Sequence, residues 1–105
     1  MTISDRERAQ ETIAEAAEVR RATEDAFLFS MRTELVVVRT MCILAEQEDD
    51  GEERAHHIQQ AEKAFASILD VAKRIDPNQQ DRDAIEEARQ NIRRVGGREF
   101  PQPHD

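Results

Sequence analysis

Residues 46–57 read EQEDDGEERAHH, with six acids in eight residues, one glycine among them and two histidines behind. The stretch lies near the middle of a 105-residue chain, and neither glycine nor proline occurs anywhere before Gly51. Asp50 and Glu53 have the spacing of a capping box, in which a cap side chain and an acid three residues on satisfy the first free N–H groups of a helix. The chain is therefore expected to reverse here, and the segments on either side are read as helices.

Both sides keep a helical period. Leu28, Met31, Leu35, Val38, Cys42 and Ala45 are spaced in alternating steps of three and four, as are Ile58, Ala61, Phe65, Ile68, Ala72 and Ile75. A shorter series runs through Ile85, Ala88, Ile92 and Val95. The stretch 4–27 is weaker. Ala9, Ile13 and Ala16 keep the step, then Arg20 and Thr23 fall on it, which predicts a kink or a change of face near 20–26.

Further helix boundaries are read at Ser4 with Glu7, at Asp76 with Pro77 in the first helical position and Gln79 as the reaching partner, and at the glycines of VGG, 95–97. The expectation is an all-α protein with one helical domain over 1–95, helices at about 4–47, 51–75 and 77–95, and a flexible C-terminal tail over 96–105. Two layouts satisfy it. In a long antiparallel hairpin, with a kink at Pro77, Glu11, Glu15 and Glu18 lie near Arg89, Arg93 and Arg94, and Arg20 and Arg21 near Asp76 and Asp81. In a compact three-helix bundle, the third helix folds back at Pro77.

Composition supports helices. Charged residues make up 36% of the chain against three glycines, three prolines and four aromatics, all Phe, which leaves too few turn residues for an all-β fold. Cys42 sits in an apolar run and reads as a small buried hydrophobe. The most apolar stretch, LVVVRTMCILA, has eleven residues and contains Arg39, too short for a membrane span. With no leader pattern at the start, a cytoplasmic location is expected. The net charge of −8 divides as −2 over 1–45, −6 over 46–53 and zero over 54–105.

Several chemistries read poorly. Aligned on Gly51, the acidic stretch resembles an EF-hand loop through Glu46, Glu48 and Asp50, but His57 stands where the bidentate glutamate belongs. Glu53 and His56 have the spacing of a di-iron Glu-x-x-His pair, yet the Ile58–Ala61 frame turns both away from the helix seam. No metal site, cofactor site or catalytic residue is expected, and the chain is read as non-catalytic. The basic residues over 89–98 interleave with acids and carry no aromatics, so neither nucleic acid nor membrane is expected as a partner.

The segment LVVV, 35–38, covers every side of a helix, and Phe29, Val36 and Ile43 form a second stripe seven residues apart. A helix apolar all round needs cover all round. That predicts a homodimer with a four-helix core, contacting through Phe29, Val36, Val37, Ile43 and Leu44, in an adaptor, regulator or assembly role. Glu46, Glu48 and Asp49 crowd the C-terminal end of the first helix, where negative charge is unfavourable, and are read as contacts for a basic protein surface. The alternative is an acidic inhibitor that mimics nucleic acid in the basic groove of a nucleic-acid-handling enzyme. It ranks second because the balance outside 46–53 is only −2.

Overall fold

The computed structural model describes the backbone of residues 3–97 and the side chains of 5–97. It is all-helical among the described residues: α1 spans Ile3–Gln47, α2 Gly51–Ala72 and α3 Gln79–Gly96. Of the expected tail over 96–105, Gly96 belongs to α3 and Gly97 caps it, and 98–105 lie outside the described residues.

α1 has 45 residues and no break. Its interior holds no glycine or proline, and three of its four threonines are accommodated by bonding back into the helix. The hydroxyls of Thr12, Thr23 and Thr33 donate to the carbonyls of Arg8, Val19 and Phe29 at 3.0, 2.9 and 2.9 Å. The helix already includes Ser4, so the expected capping box at Ser4 is not its start. The helix also runs unbroken through 20–26; what changes there is coverage. Every residue from Asp5 to Ala26 is exposed, and burial begins at Phe27.

α2 begins where the sequence places it. Asp50 is the N-cap, and its carboxylate accepts the N–H of Glu52 at 3.0 Å. The reciprocal bond comes from upstream: Glu48, not Glu53, accepts the N–H of Asp50, at 3.1 Å. α2 stops at Ala72, short of the expected 75, because Pro77 forces the preceding residue out of helical geometry and the chain needs a loop before it. The cap of α3 is Asn78, whose side chain accepts the N–H of Asp81 at 2.8 Å. Asp76, expected as that cap, instead pairs with Arg82 at 2.8 Å, and Arg82 also donates to the Pro77 carbonyl. At the far end Gly97 takes the left-handed conformation, φ 64°, and its N–H donates to the Arg93 carbonyl at 3.1 Å.

The loop 73–78 turns α3 back against α1 and α2, so α3 does not continue outward as the second half of a long arm. Arg94 therefore meets Glu46 rather than Glu11–Glu18, and Asp81 meets Arg32 rather than Arg20 or Arg21. The periodic seams form one core. Met31, Val38, Cys42 and Ala45 of α1 pack with Ala61, Phe65 and Ile68 of α2 and with Ile85, Ala88, Ile92 and Val95 of α3. The Arg89 guanidinium covers the Phe65 ring, 5.3 Å from its centroid.

The principal extents are 72 × 26 × 19 Å, the long one being that of a 45-residue helix at about 1.5 Å per residue. The caps give a direct check. Asn78→Ala is expected to destabilise by about 1 kcal/mol in urea unfolding, whereas Asp76→Ala stays within about 0.5 kcal/mol. The reverse order would return the cap to Asp76.

Candidate functional site

Two surfaces carry the residues that the sequence singles out: the acidic turn between α1 and α2, and the face of α1 opposite its core.

At the turn, the acids read as having no local task are mostly engaged. Glu46 forms an ion pair with Arg94, joining the end of α1 to the end of α3. Glu48 accepts the Asp50 N–H, so its carboxylate shapes the reversal. Asp49 is exposed and lies between them. The reading of all three as residues opposing local stability is therefore corrected for Glu46 and Glu48, whose charges the fold uses. Close by, Arg54 donates from its Nη2 to the Val95 carbonyl at 3.0 Å, so α2 also binds the end of α3.

His56 is exposed and His57 half-buried on α2, with ring centroids 6.2 Å apart and planes tilted by 54°. Among the described residues, no three side chains of the metal-binding types converge. Cys42 is buried in the core. Burial pushes its thiol above the ordinary value, with Arg94 pulling the other way and Glu46 adding a smaller upward push. That favours the protonated thiol, the opposite of what a cysteine nucleophile needs. No helix among the described residues is long and apolar enough to cross a membrane.

On α1, Phe29 is 74% exposed, Val36 50%, Ile43 47% and Leu44 39%. These four stand on the surface. Val37 does not belong with them, because it is partly buried against the core. The segment LVVV is thus shared out: Val38 is fully buried, Leu35 and Val37 are half-covered, and Val36 is left to solvent.

The stripe is longer than the heptad of Phe29, Val36 and Ile43 suggests. Thr33 and Thr40 lie between those residues in alternating steps of three and four, and the series continues back through Ala26 and Ala22 to Val19. All of these residues are exposed and none is charged. The Thr33 hydroxyl is satisfied within its own helix, so covering it leaves no donor stranded. The signal was present in the sequence, but it is carried by alanines and threonines, which a search for large apolar residues passes over. Ile13 and Val19, 69% and 66% exposed, were likewise missed as surface residues. Compared with protein-family models, curated proteins and solved structures, the chain matches none of them.

Two measurements test this description. A double-mutant cycle on Glu46→Gln and Arg94→Gln should give a coupling of roughly 0.2–1 kcal/mol that shrinks in molar salt, and zero coupling would remove the joint. Calcium and zinc should leave the melting midpoint unmoved, because a specific site at a hundredfold excess of metal over Kd would add about 2.7 kcal/mol.

Proposed function

We propose that this chain is a small acidic helical protein that works through protein contact, assembling as a homodimer in an adaptor, regulator or assembly role without catalysing a reaction. The observation that carries this reading is the exposed uncharged stripe on α1 centred on Phe29, Val36 and Ile43. Burying an aromatic and two β-branched side chains is favourable at roughly 25 cal/mol per Å² of apolar area. A stripe of this length on one helix matches the shape of another helix better than that of a small molecule. A second copy would also give α1 the further cover that its N-terminal half lacks in the monomer.

The basic-surface contact keeps Asp49 as its main anchor, since Glu46 and Glu48 already serve the turn. The same engagement weakens the nucleic-acid-mimic reading, which needs freely presented acids.

Light scattering should give twice the chain mass at micromolar concentration. Val36→Glu with Ile43→Glu should give the single-chain mass with helical circular dichroism unchanged, because both positions lie outside the core. A parent that stays monomeric at millimolar concentration would overturn the reading.

A further inference from the structure

Taking the homodimer reading as its basis, we propose that the second copy lies antiparallel along α1, so that each chain's N-terminal arm becomes the fourth helix on its partner's three. The orientation follows from the edges of the exposed stripe. Along the stripe one edge carries Glu18, Asp25, Arg32 and Arg39 at seven-residue intervals, all exposed, two acids followed by two bases; the same interval continues to Glu11 on one side and on the other to Glu46, which Arg94 pairs within the chain. The other edge carries Thr23, Ser30, Val37 and Leu44 and no charge.

In a two-helix pair these edge positions select partner and direction. A parallel pair sets each edge against the opposite edge of its neighbour, so the four charged residues would face Thr, Ser, Val and Leu and gain nothing. A two-fold axis perpendicular to the helices sets each edge against its own copy, reversed. Glu18 and Asp25 of one chain then face Arg39 and Arg32 of the other, twice over. Over 18–39 the pattern is self-complementary in the antiparallel arrangement alone.

Two further features agree with it. The charged edge is the one along which α3 lies, as the Arg32–Asp81 and Arg94–Glu46 pairs mark. Between Leu35, Val36 and Arg39 of α1 and Ala84, Glu87, Ala88 and Asn91 of α3 runs an open groove, with one charge of each sign in its lining. An antiparallel partner brings its residues 5–26 alongside that groove. This is the segment of α1 that no helix of its own chain covers. Arg39 lines the groove and makes no ion pair within the described chain, so it remains available to the incoming Glu18.

The test is a charge swap at two exposed positions, read by sedimentation equilibrium. Glu18→Arg alone and Arg39→Glu alone should each weaken dimerisation by about tenfold, since each turns two attractive contacts repulsive. The combined Glu18→Arg, Arg39→Glu chain should dimerise like the parent, and an equimolar mixture of the two single variants should dimerise more tightly than either one alone. A dimer indifferent to the single changes, or one that the combined chain weakens additively, would overturn the antiparallel arrangement while leaving the homodimer reading intact. A parent that never dimerises would remove both.

Discussion

α1 is 45 residues long, whereas the helices that fold back on it have 22 and 18 residues, and the rest of the structure depends on that mismatch. Had α2 and α3 continued as one arm, a pair of equal helices would have covered one face of α1 along its full length. By reversing at 73–78, the chain instead puts two helices on the C-terminal half of α1 and none on the N-terminal half. The core gains depth: residues such as Phe65, Met31 and Val38 are fully buried, which a two-helix hairpin cannot achieve. The cost is an arm of more than five helical turns without tertiary packing, and packing is where most of the stability of a protein helix originates.

The return of α3 is held in register at both ends by charge. At its start, Asp81 is buried and receives two bonds from the Arg32 guanidinium, at 3.2 and 3.1 Å, while the adjacent helix N-terminus adds favourable potential for a carboxylate. At its end, Arg94 reaches Glu46 and Arg54 reaches the Val95 carbonyl. Apolar packing alone tolerates a slip of one turn along α1, because the seams on both sides repeat. A slip of α3 by one turn would strand the Asp81 carboxylate in the core without a partner, so this pair specifies the register that the hydrophobic repeat leaves open.

The seams of all three helices, the Asp50 cap and the Gly97 stop were legible because each rests on local spacing or on a residue with one strong conformational preference. The cap of α3 was not. Asp76 and Asn78 both suit an N-cap, and the competition is decided by Arg82, which binds Asp76 and the Pro77 carbonyl together and leaves Asn78 next to the first free N–H groups. The direction of α3 was left open between two layouts for a related reason. Ile75 continues the α2 seam up to the proline, so no loop is visible in the pattern, yet the helix stops at Ala72 and the last seam residue serves the turn. At Ile75 the period reports packing against the core, not that the backbone beneath it is still helical. The exposed stripe of α1 was half legible: Phe29, Val36 and Ile43 were found by size, but the small residues between them have no size to find.

The acidic turn shows how a sequence feature that looks like a lure can be absorbed by the fold. The C-termini of α1 and α3 and the N-terminus of α2 meet at one end of the molecule, two negative helix ends against one positive. Acids at 46 and 48 would worsen that imbalance if they stood alone. α3, however, carries Arg93 and Arg94 in its last turn, where cations favour its own dipole, and directs Arg94 at Glu46. Glu52 and Glu53 sit in the first turn of α2, where the field favours them, and Glu48 is spent on the Asp50 N–H. Arg54, one residue further along α2, answers the free carbonyl of Val95. Glu46, Glu48 and Asp50 with Arg54 and Arg94 thus form a joint that holds the three helix ends together, with Asp49 exposed beside it. The density of charge in EQEDDGEERAHH reflects three helix ends that must be satisfied in one place.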